Sequence, residues 1–304
     1  MRACLPPNIA SRYTRPMRHG FLLIDKPVGP TSHDIVAQLR RTLSEQKMGH
    51  LGTLDPQASG LLVVAVGSKA LKVVEIFRTL TKEYIAEVHL GAVSTTYDFE
   101  GSITQTQLKP GWQQPADSSR IQTLIQERFL GKIEQRPPQF SAINIDGKRA
   151  YDLARQGKEV EMPVREVQIS RCDILSYDYP KLRLQVACSS GTYIRSLAHD
   201  IGIALRCGGY LSALRRTKVG KWKIDKAIAP KDVTWTSIVP LKDILADFPK
   251  RELTAAEWKE IGFGRTIKGE VGTDPLIAWF DGLPVAVLEP STKQVGMLKA
   301  RKVF

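Results

Sequence analysis

The sequence predicts an α+β fold in which helices flank a mixed, largely antiparallel central sheet, with a small β-rich domain at the C-terminal end. Segments with the apolar spacing of helices and of strands follow one another without a regular strand–helix–strand period. Prolines cluster between residues 229 and 250, and short β-like segments come after them. A length of 304 residues suits one large or two ordinary domains and is enough to bury a full core.

Apolar spacing predicts each element of the first half. Phe21–Ile24 is a short apolar run ended by a turn, and Thr31 with Asp34 has the pattern of a capping box that opens a helix. Residues 44–60 and 101–118 are polar, as in surface loops. In order, the predicted elements are a strand at 21–24, a helix from 31, a strand at 61–66, a helix at 70–80, a strand at 82–90 and a helix at 119–130.

Turn-forming pairs organise the second half. Asp146 followed by Gly147, and Asp281 followed by Gly282, are typical of tight hairpin turns. Prolines divide residues 229–250 into two short helical pieces. The other predicted elements are strands near 164–175, 181–188 and 210–223, a helix at 194–206, a short helix beyond about 252, and strands at 276–280 and 285–288.

The chain is strongly basic. Lysine and arginine total 44 against 31 acidic residues, which gives a formal charge of +13 and an isoelectric point near 9.6. This excess favours a polyanionic partner such as nucleic acid, because neutralising phosphates releases counterions and drives association. A basic protein without such a partner is the alternative.

Several common chemistries have no motif in this sequence. There is no P-loop, no dinucleotide-binding glycine pattern, no H-E-x-x-H and no G-x-S-x-G. The four cysteines form no C-x-x-C pair and lack histidines at ligand spacing. We therefore expect no cofactor and no metal ion, and the cysteine usage predicts a reducing cytoplasm. No apolar run is long enough to predict a membrane span.

The first 18 residues form a basic extension. They contain four arginines, no acidic residue and no apolar core of a secretory signal. We expect a disordered tail. An organelle transit peptide, or an over-extended start upstream of Met17, would also explain this composition.

One loop has the composition of a reactive site. Between Gly49 and Gly60, three glycines allow tight bends or a close ligand approach, and Asp55 is the single carboxylate. Pro56 restricts Asp55 to extended backbone angles, and the apolar strand that follows provides a rigid base. A plain turn closed by an Asx-type bond from Asp55 is the alternative.

Two further segments carry conspicuous arginines. Arg195 falls in the first turn of a predicted helix, where the helix dipole does not favour a cation, so a carboxylate or phosphate partner would explain it. A solvated arginine is the alternative. In residues 214–223, basic and apolar residues alternate at strand spacing, which predicts either a basic face for RNA or a solvated strand edge.

Together these segments resemble the TruB family, the tRNA pseudouridine-55 synthases. The similarity spans about residues 20 to 220, with its motifs in the family's order. These motifs are Asp25-Lys26-Pro27-x-Gly29-x-Thr31-Ser32, Gly49-His50-x-Gly52-Thr53-Leu54-Asp55-Pro56-x-Ala58-x-Gly60, Lys82-x-Tyr84, Gly91, Ser141-Ala142, Gly147-x-x-Ala150-Tyr151-x-x-Ala154-Arg155-x-Gly157, Gly191-Thr192-Tyr193-Ile194-Arg195 and Leu214-Arg215-Arg216.

The resemblance implies roles for individual residues. Asp55 would be the nucleophile, Arg195 its ion-pair partner, and Tyr84 the ring that stacks on the flipped base. His50 would help to open the RNA loop, Tyr193 and Leu214 would line the pocket, and Lys26 and Pro27 would support the catalytic loop. The expected contacts to the RNA backbone are Lys148, Arg149, Arg155, Arg215 and Arg216.

The resemblance also implies an architecture and an activity. The expected domains are the extension 1–18, a catalytic domain of pseudouridine synthase fold over 19–240, and a PUA-like RNA-binding domain over 241–304. The implied reaction isomerises uridine 55 in the T-arm of tRNA after base flipping, in a monomer that needs no protein partner. A non-catalytic RNA-binding or RNA-folding protein and a base-excising glycosylase are the alternatives.

Overall fold

The computed structural model describes residues 19–114, 117–141, 143–145, 147–150, 161–270, 272 and 275–304. Its strands are β1 Gly20–Lys26, β2 Met48–His50, β3 Ala58–Val66, β4 Lys82–Leu90, β5 Ala92–Ser94, β6 Ile103–Gln105, β7 Gly131–Gln135, β8 Asn144–Ile145, β9 Lys148–Arg149, β10 Arg165–Asp178, β11 Lys181–Cys188, β12 Gly209–Val219, β13 Trp222–Lys223, β14 Val239–Pro240, β15 Lys250–Glu252, β16 Ile267–Lys268, β17 Leu276–Phe280, β18 Leu283–Pro290 and β19 Met297–Val303.

Helices connect these strands. The α-helices of the described residues are α1 Ser32–Thr42, α2 Ser68–Val73, α3 Ser118–Phe129, α4 Ile194–Ala204, α5 Leu241–Ile244 and α6 Ala255–Gly262. Short 3₁₀ helices cover Val74–Phe77, Ile224–Lys226, Pro230–Asp232 and Trp235–Ser237. No helix in this part of the chain is long and apolar enough to cross a membrane.

A ten-stranded sheet forms the centre of the molecule. Its strand order is β14-β1-β3-β12-β4-β11-β10-β7, with β2 paired to β3 and β13 paired to β12. The β12–β3 pair is parallel and the others are antiparallel, so the prediction of a mixed, largely antiparallel sheet is confirmed. Because β12 lies between β3 and β4, the interpretation of residues 214–223 as a strand edge is wrong.

Strand β3 is buried on both faces, which explains its uninterrupted apolar run. Leu62 and Val64 pack with the helices α1, α3 and α4. Leu61 and Val63 point the other way and pack with α2, α5 and the second sheet. The core therefore has two layers, one on each side of the central sheet.

The capping box predicted at Thr31 is present. The Thr31 hydroxyl accepts from the Asp34 amide at 3.0 Å, and the Asp34 carboxylate accepts from the Thr31 amide at 2.8 Å. Two expectations need correction. The helix predicted at 70–80 is only Ser68–Val73, followed by a 3₁₀ turn, and the expected surface loop 101–118 contains β6, which pairs with β5.

The C-terminal part is β-rich, as predicted. It forms a five-stranded sheet in the order β15-β17-β18-β19-β16. Asp281 and Gly282 both have positive φ, 51° and 68°, in the tight turn between β17 and β18 that their sequence predicts. The second sheet begins at Lys250, while β14 at residues 239–240 still pairs with the first sheet. The domain boundary at 240 and the PUA-like character stay predictions.

Candidate active site

A cavity of about 730 Å³ lies at one end of the central sheet. Six separate segments of the chain line it, and they include all three of the segments singled out in the sequence. Its lining includes His33, Asp55, Lys82, Tyr84, Phe140, Tyr193, Arg195, Leu214 and Arg216.

The loop that carries Asp55 is fixed by its main chain. The buried Ser32 hydroxyl donates to the Leu54 carbonyl and accepts from the Leu54 amide, both at 2.9 Å. The fully buried Lys26 ammonium donates to the carbonyls of Pro27 at 2.9 Å and Pro56 at 3.1 Å. These bonds lie on both sides of Asp55 and hold its backbone in place.

The Asp55 carboxylate faces a buried arginine. Its Oδ2 atom lies 3.2 Å from Arg195 Nε, and its side chain is 46% exposed. The turn itself is closed by the main chain, where the Ala58 amide donates to the Asp55 carbonyl. The carboxylate therefore faces the cavity and pairs with Arg195. It is not needed to close the turn, so an Asx-type bond does not explain its presence.

Arg195 is held on four sides. Besides Asp55, its guanidinium donates to Asp98 Oδ2 at 3.2 Å, to the Thr96 carbonyl at 3.4 Å and to the Phe140 carbonyl at 3.0 Å. The side chain is 9% exposed, so the alternative of a solvated arginine is wrong. A buried arginine with this many acceptors has one fixed orientation.

Asp98 is a site residue that sequence reasoning missed. It is buried, and its carboxylate also accepts from the Glu100 amide at 3.0 Å. It lies just after β5, in a polar stretch whose composition resembles a surface loop. Only its ion pair with Arg195, almost a hundred positions away, distinguishes Asp98 from an ordinary loop residue. Such a pair forms only in the folded chain, so the sequence pattern does not predict it.

Arg216 requires a correction. We expected it on an outward basic face for RNA, but it is 2% exposed. It donates to the carbonyls of Leu61 at 2.7 Å, Gly52 at 3.1 Å and Thr53 at 3.4 Å. Gly60 permits this approach, since a Cβ there would lie 2.3 Å from the Arg216 carbonyl oxygen. Arg216 therefore holds the main chain of the Asp55 loop in place.

Arg215, its neighbour, points to the opposite face of β12. It is 43% exposed and pairs with Asp25 at 2.7 Å. Its expected role at the RNA backbone stays a prediction. Lys148 and Arg149 lie in the β8–β9 hairpin, whose side chains are outside the description, and Arg155 and the extension 1–18 lie outside the described residues.

Two strand residues form the wall beside Arg216. Tyr84 is 8% exposed, and burial raises the pKa of its hydroxyl. Lys82 donates to the Leu80 carbonyl at 2.7 Å, and burial together with the nearby Arg216 lowers its pKa to about 8. The motif Lys82-x-Tyr84 predicts no separate role for Lys82.

Tyr193 lines the cavity, and His50 lies next to it. Gln135 makes two hydrogen bonds to the Tyr193 backbone, at 2.8 and 3.0 Å, which fix this residue at the cavity wall. His50 packs edge-on against His33, with ring centroids 5.4 Å apart, and burial lowers its pKa. His33 lines the main cavity, whereas His50 lines a neighbouring one.

This arrangement suits nucleophilic chemistry at a carbon atom. A half-exposed carboxylate on a fixed loop faces a buried cation that can orient it, and a tyrosine ring closes the wall. Within the described ranges, no group of three or more His, Cys, Asp or Glu residues could hold a metal ion.

Two family models match the chain. The model described as TruB family pseudouridylate synthase, N-terminal domain, matches residues 40–194. The model described as tRNA pseudouridylate synthase B C-terminal domain matches residues 195–240. Together they cover residues 40–240, which include every segment that lines the cavity except residues 31–33.

Curated relatives are similar over most of their length. The tRNA pseudouridine synthase B of Syntrophomonas wolfei is 43% identical over 82% of this chain and 85% of its own. The protein of the same name from Corynebacterium aurimucosum is 40% identical over 91% and 94%, and that of Mycobacterium tuberculosis is 37% identical over 92% and 96%.

Solved structures show a similar fold. The structure titled as a Cbf5-Nop10-Gar1 complex matches with a TM-score of 0.70 at 26% identity, over 95% of this chain and 85% of the other. The archaeal box H/ACA sRNP Nop10-Cbf5 complex matches with a TM-score of 0.68 at 25% identity, over 95% and 88%.

Proposed function

The chain belongs to the TruB family of pseudouridylate synthases, and we propose that it isomerises uridine 55 in the T-arm of tRNA to pseudouridine. The observation that carries this proposal is the pair formed by Asp55 and Arg195. The carboxylate is half exposed in the cavity, and the guanidinium behind it is buried and fixed at 3.2 Å.

The reaction is a balanced isomerisation. The bond between C1′ of the ribose and N1 of uracil breaks, the detached base rotates, and a bond forms between C1′ and C5. The hydrogen leaves C5 and a proton is taken up at N1, so no oxidant, reductant or cofactor is consumed. Asp55 supplies the nucleophile that forms and then releases a covalent adduct, at the base or at the sugar carbon.

The cavity would receive a flipped nucleotide. Extruding a base from a folded RNA loop costs a few kcal/mol, and stacking on an aromatic ring can return about 1–3 kcal/mol. Tyr84 offers such a ring in the wall, with Leu214 and Tyr193 close to it. The basic charge of +13 supports binding of the phosphate backbone.

The test is tritium release from tRNA labelled at C5 of uridine, combined with mapping of the modified position. Wild-type protein is expected to release tritium from position 55, and Asp55→Asn to lower the rate by more than about a thousandfold with tRNA binding retained. Asp247→Asn, at an exposed carboxylate paired with Lys221, is the matched control and keeps full activity.

Each other outcome contradicts the proposal in its own way. Binding without tritium release would favour a non-catalytic RNA-binding protein, and free uracil would favour a glycosylase. Full activity of Asp55→Asn would show that Asp55 is not the nucleophile. The monomer, the independence from protein partners and the cytoplasmic location stay predictions, which sedimentation and localisation of the protein would check.

A further inference from the structure

We propose that Tyr97 and His199 form a clamp that positions Arg195 for catalysis, an inference that rests on the proposed function. Tyr97 has a φ of 63°, in the left-handed region that is uncommon for a bulky residue. Its ring stacks on the His199 imidazole, with centroids 4.0 Å apart and planes inclined by 12°. Such a conformation persists only where surrounding contacts impose it.

The clamp acts through the two neighbours of Tyr97. The Thr96 carbonyl accepts from Arg195 at 3.4 Å, and the Asp98 carboxylate pairs with Arg195 at 3.2 Å. Both orientations depend on the reversal of the backbone at Tyr97. If Tyr97 relaxed to an ordinary conformation, these two acceptors would turn away from the guanidinium.

Helix α4 presents the other half of the clamp. Arg195 and His199 are four residues apart, so they lie on the same face of the helix. The turn around Tyr97 therefore docks on both side chains at once. Burial lowers the pKa of the His199 imidazole.

Main-chain bonds fix the turn in register with the sheet. The Tyr97 amide donates to the Ser94 carbonyl at 3.2 Å, and the Leu211 amide donates to the Tyr97 carbonyl at 2.9 Å. These bonds hold only the main chain of the turn, and the stack on His199 holds the Tyr97 side chain. Tyr97 is thus a positioning residue: it acts on Asp55 through Asp98, Thr96 and Arg195.

The expected defect is kinetic. Small displacements of a catalytic group lower the rate strongly while leaving substrate binding intact. We expect Tyr97→Leu, which removes the stack, to lower kcat by about 10- to 100-fold with KM unchanged. Tyr97→Phe keeps the ring and is expected to restore kcat to near the wild-type value.

A double variant identifies the stack as the cause. Tyr97→Leu and His199→Leu remove the same contact, so the double variant is expected to lose no more activity than one of them alone. Multiplying defects, or a Tyr97→Phe variant as slow as Tyr97→Leu, would overturn the clamp.

A readout without turnover separates this inference from the proposed function. The Arg195 Nε–H signal in NMR spectra of the full chain is expected to be sharp and protected in wild type and Tyr97→Phe, and lost in Tyr97→Leu. Retention of the signal in Tyr97→Leu would overturn the clamp, even if the wild type formed no pseudouridine. Inactive wild type with the expected NMR pattern would contradict only the proposed function.

Discussion

The two sides of the central sheet bury different chemistry. The side of α1, α3 and α4 contains the cavity and, among the residues that the structure describes, the buried charged side chains of Lys26, Asp98, Arg195 and Arg216. The side of α2, α5 and the second sheet is packed by aliphatic and aromatic side chains. Phe77 lies at its centre, with ring centroids 5.2 Å from Phe21 and 5.5 Å from Trp222.

The partners of the buried charges explain the difference. Lys26, Arg195 and Arg216 donate to carbonyls of the loops that surround Asp55 or to carboxylates beside it. A buried charge costs desolvation energy, which its partners only offset, so it specifies geometry more than it stabilises the fold. The apolar side stabilises by removing area from water. Substitutions on the two sides should therefore change different measurements.

The largest effect is expected at Arg216. In Arg216→Leu, two carbonyls of the Asp55 loop and one of β3 lose a charged donor. We expect a loss of about 3–5 kcal/mol in the free energy of unfolding, because each buried acceptor left without a donor costs about 1–3 kcal/mol. The Asp55 loop also loses its brace, so activity should fall sharply in the molecules that remain folded. Denaturant unfolding and tritium release measure the two effects.

Arg215→Leu is the matched control for stability. Arg215 is the adjacent arginine on the same strand, but it is half exposed and its ion pair with Asp25 lies at the surface. Such pairs contribute about 0–1 kcal/mol. If Arg216→Leu and Arg215→Leu lowered the free energy of unfolding equally, the burial of Arg216 would not explain its contribution to stability.

A smaller effect, on stability alone, is expected at Ile277. This fully buried residue of β17 packs with the apolar layer of the central sheet. Ile277→Ala should lower the free energy of unfolding by about 2–4 kcal/mol and leave kcat unchanged. Unfolding should stay a single transition, because one apolar layer joins the two sheets.

The control here is Val295→Ala, at a fully exposed position of the same C-terminal part. It should change stability by less than about 0.5 kcal/mol. A separate early transition of the second sheet in Ile277→Ala, or a fall in kcat, would show that the apolar layer does not act as we infer.

The same contrast explains which features the sequence could predict. Strands such as β3 and β4 follow from apolar spacing, because packing of a strand depends on local periodicity. The loop around Asp55 stands out through its glycines and its similarity to a family. The direction of Arg216 could not be predicted, since adjacent residues of a strand point to opposite faces and the register decides which is buried.

Asp98 and Tyr97 lay beyond sequence reasoning for a related reason. Their stretch is polar and short, so it has the composition of an ordinary loop. Their importance comes from Arg195 and His199, which the fold brings from another element. Partners of a buried charge are set by tertiary contacts, and no spacing in the chain encodes them.

The smallest effect is expected at Lys82. This charged side chain lies on the cavity side, and its hydrogen bond to the Leu80 carbonyl offsets only part of the cost of its burial. The pKa of Lys82 is about 8 in the folded protein against 10.5 for the ordinary side chain. Between these values the unfolded state binds a proton that the folded state has lost, so stability should rise with pH in this window. Below about pH 8 both states are charged, and the folded state carries the full cost of burial.

Lys82→Met removes that cost. Because the side chain is only partly buried, we expect a gain of about 1 kcal/mol at about pH 7, shrinking towards about pH 10. Lys82→Arg is the matched control: it keeps its charge throughout and should show no contribution from this site to the pH dependence. Denaturant unfolding at several pH values measures all three proteins. A wild-type curve parallel to that of Lys82→Met would show that the cavity side tolerates this charge at no cost, and the contrast between the two layers would then rest on Arg216 alone.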